Sequence, residues 1–115
     1  MKVLVCGGRD YSNYDHLGAM LDEIHEKTPI TTIVHGAAKG ADLMAGIWAR
    51  LNGIPIKGYP ADWKRHGRAA GPIRNQEMLD KEHPDLVVAF PGGTGTAGMV
   101  KLARVAGVEV IEAPQ

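Results

Sequence analysis

The chain has 115 residues, 44% apolar and 23% charged, an ordinary composition for one globular domain over residues 1–115. Thirteen basic residues balance thirteen acidic ones, which argues against a strongly cationic nucleic-acid coat or membrane-surface protein. The single cysteine, Cys6, excludes an internal disulfide framework, and no apolar run approaches the roughly 18 residues of a membrane span.

Lys2 to Cys6 is a short apolar run ending in glycines, the pattern of a buried strand. It is too brief for a signal peptide, so a cytoplasmic protein without membrane association is expected. Leu17, Met20, Leu21 and Ile24 follow at helical spacing, with Ser12 or Asn13 placed to cap them. Thr31 to His35 is β-branched and strand-like. Met44, Ile47, Trp48 and Leu51 predict the buried face of a second helix, stopped by Asn52-Gly53. Ile54 to Tyr59 is a weaker strand, placed near an edge by Pro55.

Pro60 to Gly71 reads as the longest irregular stretch, and Pro72 suits the first turn of a helix to about Glu82. Asp85 to Phe90 predicts another buried strand. A helix from Ala97 to about Ala106 and a last strand from Val108 to Glu112 complete the pattern. Five strands alternating with four helices imply an α/β fold, a Rossmann-like three-layer domain with a mainly parallel sheet. Strand order 3-2-1-4-5 is favoured, with the flavodoxin-like 2-1-3-4-5 as the alternative. No internal repeat or linker interrupts the chain.

Seven of the 15 glycines gather in three segments: GGRD from Gly7, HGAAKGAD from His35 and PGGTGT from Pro91. Each follows a strand and precedes a helix, so all three loops fall at the carboxyl edge of the sheet, where ligands bind. Glycine lets the backbone approach a ligand closely, and a following helix offers free N–H groups to an anion.

In PGGTGT, the amides of Gly92, Gly93 and Gly95 form a candidate phosphate nest, with the Thr94 and Thr96 hydroxyls as further donors. Thr96 is also placed to cap the next helix. The segment lacks the Walker spacing. In HGAAKGAD, Gly36 and Gly40 make the turn and Lys39 offers a charge for phosphate. Asp42 either serves the helix start or accepts from a ribose hydroxyl. In GGRD, Gly7 and Gly8 allow close approach, and Arg9 and Asp10 are candidates for anion and ribose or base.

Lys64, Arg65, His66, Arg68 and Arg74 form a local basic run, which is usually a solvated surface. Arg74 at a helix start opposes the helix dipole, which favours an anionic partner. Asn75 and Glu77 lie within a turn of it, and Arg74–Glu77 is also the spacing of a surface ion pair. The histidines have no metal-ligand spacing, so no metal is expected. His35 ends a strand at the cleft edge. Cys6 and Trp48 read as core residues, and Trp63 either covers a ligand or packs against the domain.

GGRDY, HGAAKGAD, YPADWKRHGRAAGPIRNQEML and AFPGGTGTAGMV together resemble the YspA/YpsA-related branch of the SLOG superfamily. That resemblance implies a Rossmann-like fold and a nucleotide, nucleotide-sugar or related phosphorylated ligand; apart from that ligand, no cofactor is expected. The superfamily includes LOG phosphoribohydrolases, which cut the base from nucleoside 5′-monophosphates, and the DNA-processing protein DprA.

Pro91 to Thr96 match the LOG pattern PGGxGTxxE, but Met99 stands at its acidic position. Arg74 and Met78 resemble the arginine and methionine of the LOG segment RKxxM. Phosphate binding is thus implied, while an N-glycosidase, with Arg74 and Glu77 as catalytic candidates, is the second reading. Glycosidic cleavage with oxocarbenium character favours a carboxylate near the sugar, and Glu77, Asp10 and Asp42 are the alternatives to Met99. HGAAKGAD is similar to the DprA segment SGxAxGID, which makes a single-stranded DNA accessory protein the third reading. Relatives that assemble as oligomers leave self-association open.

Overall fold

The computed structural model of the chain describes residues 1–114. Five parallel strands, β1 (Lys2–Cys6), β2 (Thr32–His35), β3 (Ile56–Gly58), β4 (Leu86–Ala89) and β5 (Glu109–Glu112), form one sheet in the order β3-β2-β1-β4-β5. This is the Rossmann-like order, and the flavodoxin-like alternative is not adopted.

Alternation along the strands assigns side chains to the two faces. Val3, Val5, Ile33, Leu86 and Val88 pack under α1 (Tyr14–Lys27) and α2 (Ala41–Leu51). Leu4, Cys6, Val34, Val87 and Ala89 pack under α4 (Ala70–Glu82) and α5 (Thr94–Val105). Both faces of the inner strands are covered, which is why those strands read as unbroken apolar runs.

Asn13 caps α1, its side-chain oxygen accepting the His16 amide at 3.1 Å. In α2 the buried face differs from the expected one. Ala41, Ala45, Trp48 and Ala49 are buried, whereas Ile47 and Leu51 are 44% and 75% exposed. Small residues face inward because α2 lies close to the sheet edge: a Cβ on Gly7 would stand 2.6 Å from the Ala41 Cβ. Trp48 is core, its indole N–H donating to Asp22 at 2.8 Å.

Residues 60–71 are more ordered than their composition suggests. A short helix α3 (Trp63–His66), capped by Asp62, leads through a 3-10 turn (Gly67–Ala69) into α4. Pro72 is the third residue of α4, still in the turn whose N–H groups lack helical acceptors. Arg74 is therefore the fifth residue of that helix, not its start. α5 begins at Thr94 instead of Ala97, because Gly93 takes the N-cap position. Thr96 lies inside the first turn and makes no capping bond.

Candidate functional site

The connection from β3 back to β4 reverses the direction of strand order between β1 and β4. Loops after these two strands therefore part to opposite sides and leave a crevice at the carboxyl edge. There the Gly8 amide donates to the Pro91 carbonyl at 2.9 Å, which ties GGRD to PGGTGT. A cleft of about 740 Å³ opens beside that link. Its walls come from all three glycine segments, from α3 and from α4.

The glycines of these loops fall into two groups. A Cβ on Gly8 would stand 2.9 Å from the Pro91 carbonyl oxygen, and one on Gly92 2.6 Å from the Gly8 amide nitrogen. Gly40 has φ +77°, and its Cβ would stand 2.7 Å from the Arg9 carbonyl oxygen. Packing accounts for these residues without a ligand. Beyond their chain neighbours and the backbone of their own helix turn, Gly93 and Gly95 have no protein atom within 4 Å of a Cβ position; neither has a positive φ, and both line the cleft. Their small size keeps open the space over the first turn of α5, where helical N–H groups lack helical acceptors.

Arg74 reaches across from α4. Its Nη1 donates to the Gly36 carbonyl at 2.5 Å and the Tyr59 carbonyl at 3.3 Å, and its Nε to Asn75 at 2.9 Å. Asn75 is buried, and its amide nitrogen donates to the Gly95 carbonyl at 3.4 Å. The guanidinium is thus joined to both the β2–α2 loop and the α5 first turn. Burial lowers its pKa, a shift partly countered by nearby Asp42.

Asp42 is 6% exposed, and its Oδ2 accepts the amides of Gly36 at 3.0 Å and Ala38 at 3.3 Å. It is the second residue of α2 but it organises the preceding loop instead of capping the helix, whose N-cap is Gly40. Burial raises its pKa to about 6 against the pull of those amides and of Arg74. Behind the site, Tyr59 donates its hydroxyl to Glu82, which also pairs with Lys2 at 3.0 Å and Lys57 at 3.5 Å. That cluster anchors the residue whose carbonyl holds Arg74.

Gly7, Gly8, Arg9, Gly36, Asp42, Arg74, Asn75, Gly93, Thr94, Gly95 and Thr96 are brought together around the cleft. Gly92 faces a neighbouring hollow of about 640 Å³ with Asp10, Tyr11 and His16. Gly40, exposed Lys39 and Glu77 line neither space. Glu77 pairs with Lys81 on the helix surface at 3.5 Å, so the Arg74–Glu77 spacing does not become an ion pair. His35 stays outside the cleft lining, its Nδ1 accepting the Ala37 amide at 2.9 Å, and burial lowers its pKa.

Cys6, Met78 and Met99 contribute apolar surface to the lining. Burial pushes the Cys6 thiol up to about 12, which makes it an inert floor residue. Arg68 and Trp63 complete the wall. The basic run gave a sign of Arg68, and of the two alternatives open for Trp63 the structure puts it on the cleft wall, exposed. Three arginines (Arg9, Arg68 and Arg74) face one carboxylate, Asp42, so the cleft favours an anion. Among the described residues no cluster of His, Cys, Asp or Glu could hold a metal ion, and no helix is long and apolar enough to cross a membrane.

The model of a family described as YspA, cpYpsA-related SLOG matches residues 1–66, more than half of the chain and the part carrying Arg9, Gly36, Asp42 and Trp63. The Gene 61 protein of Mycobacterium phage D29 is 36% identical over 118 residues, covering 96% of this chain and 94% of that protein. Among solved structures, MurG of Acinetobacter baumannii superposes with a TM-score of 0.61 at 13% identity over 96% of this chain. The chain spans about a third of MurG, 34% of its length, and the likeness is one of Rossmann-like fold.

Proposed function

The chain belongs to the YspA, cpYpsA-related SLOG family, and on that premise we propose that it binds a phosphorylated, nucleotide-derived ligand in the cleft between β1 and β4. Membership fits a nucleotide-related role. The observation that carries the specific reading is the pair Gly93 and Gly95, which neither packing nor backbone conformation requires. They leave room for an anion against the first turn of α5, and Arg74 supplies the opposite charge. Thr94 and Thr96 line the same cleft and are the hydroxyl donors in this reading, with Asp42 as the acceptor for a sugar hydroxyl.

Calorimetric titration with nucleoside mono-, di- and triphosphates tests the reading. Binding that Arg74→Met weakens at least tenfold is expected. A folded wild-type protein that binds none of them would overturn it.

Asp42 favours a second reading, cleavage of an N-glycosidic bond. It is the one of Asp10, Asp42 and Glu77 that lines the cleft, and its pKa of about 6 suits proton transfer near neutrality. Buried Met99 offers no carboxylate. Release of free base from a nucleoside monophosphate, abolished by Asp42→Asn, is the corresponding assay, and no release above background would remove this reading.

A further inference from the structure

Trp63 is the only aromatic side chain among the residues that line the cleft. It is 49% exposed, whereas Trp48, the chain's other tryptophan, is 2% exposed. A large indole left half in water on the wall of a concave site is placed to be covered by something else. Across the mouth, the Arg9 guanidinium lies over this ring, its central carbon 5.5 Å from the ring centroid. Arg9 is itself exposed and comes from the loop after β1, so the pair spans the opening between that loop and α3.

A guanidinium is planar and weakly hydrated, and it stacks on aromatic faces. At an exposed site such a contact is weak enough to exchange for another planar group. The cleft of about 740 Å³ also exceeds what a phosphate fills and lies in the range of whole small-molecule ligands. With an anion against α5 and Arg74, the rest of a ligand extends toward the mouth.

We infer that Trp63 is the stacking platform for the base of the ligand, with Arg9 yielding the indole face as the base arrives. This inference rests on the proposed nucleotide reading of the cleft and goes further, because it makes the base a determinant of affinity. Every base has a π-face, so stacking alone selects for a base over a bare sugar phosphate and ranks purines above pyrimidines by area.

The test compares AMP, CMP and ribose 5-phosphate by calorimetry on wild type, Trp63→Phe and Trp63→Ala, with tryptophan fluorescence alongside. Trp63 is exposed, so both variants are expected to melt within a few degrees of wild type. In the wild type, AMP is expected to bind at least tenfold more tightly than ribose 5-phosphate, with CMP between, and AMP alone of these two to quench the emission strongly. Trp63→Phe keeps most of that gap, and Trp63→Ala closes it while ribose 5-phosphate affinity holds. A gap that survives Trp63→Ala, or equal binding of AMP and ribose 5-phosphate by wild type, overturns the role of Trp63 and leaves the phosphate reading standing. Absence of binding by all three, together with the other nucleotides, overturns both.

Discussion

Arg74 and Asp42 hold the same residue from two sides: the guanidinium donates to the Gly36 carbonyl and the carboxylate accepts the Gly36 amide. A Cβ on Gly36 would stand 2.9 Å from the Asp42 carboxylate and run into the guanidinium. Two charged groups buried to different depths are thus fixed around one glycine on the cleft wall. Arg74→Met frees the carbonyls of Gly36 and Tyr59 and is expected to cost about 1–3 kcal/mol of stability by thermal unfolding. Arg74→Lys retains the charge but not the fork, and is expected to recover only part of the nucleotide affinity. Full recovery of binding by lysine would contradict a role for the forked geometry.

The two groups of glycine predict opposite outcomes for one substitution. Gly40→Ala forces a residue with a Cβ into φ +77° against the Arg9 carbonyl and is expected to cost more than about 1 kcal/mol. Gly95→Ala meets no protein atom within 4 Å beyond its own helical turn and lies in a helix, so it is expected to be neutral or to stabilise by up to about 1 kcal/mol. Denaturant titration of the two variants checks this, and destabilisation of similar size in both would refute the division.

Burial lifts the Asp42 pKa from 3.8 to about 6, so folding favours the protonated acid. Its stabilising contribution is complete below about pH 4 and is lost as pH rises through about 6. Glu82, held below its ordinary range chiefly by the Tyr59 hydroxyl, has the opposite dependence and loses its contribution as pH falls. Asp42→Asn isolates the first effect, because it keeps an oxygen acceptor for the Gly36 and Ala38 amides and removes the charge. The variant is expected to exceed wild type by on the order of 2 kcal/mol at pH 7.5 and to match it near pH 4. A constant difference across that range in unfolding experiments would show that the Asp42 charge is not the cause.

With a pKa of about 12, the Cys6 thiol is ionised to roughly one part in ten thousand at pH 8. Iodoacetamide is therefore expected to label native protein at least a hundredfold more slowly than urea-unfolded protein. Comparable rates by mass spectrometry would mean that the cleft floor is open and the thiol activated.

Most of the architecture was legible because the inner strands are covered on both faces and the three glycine segments each punctuate a strand-to-helix step. The α2 face was legible only in part: Trp48 is core and Met44 packs against it, but Ile47 and Leu51 are exposed for a physical reason. Close approach to the sheet selects alanine for the buried positions, which leaves Ile47 and Leu51 outside with the spacing of core residues. The start of α5 was hidden because Gly93, Thr94 and Gly95 have poor helix propensity, although a first turn tolerates them. Arg74 was singled out by its charge, but its hold on Gly36 depends on contacts 38 residues apart in sequence. Trp63 reads in the sequence as either a cover for a ligand or a packing residue, and its pairing with Arg9, from a distant loop, exists only in the fold.

The space over Gly93 and Gly95 is proposed to be kept for an anionic, nucleotide-derived ligand. Thermal unfolding of wild type and Gly95→Ala, with and without a panel of nucleoside mono-, di- and triphosphates, tests it most directly. A ligand at 100 times its Kd adds about 2.7 kcal/mol and shifts the wild-type transition visibly. Such a shift is expected for wild type and its loss for Gly95→Ala, although that variant alone is expected to melt no lower than wild type. No shift with any nucleotide, or an equal shift in both proteins, would contradict it.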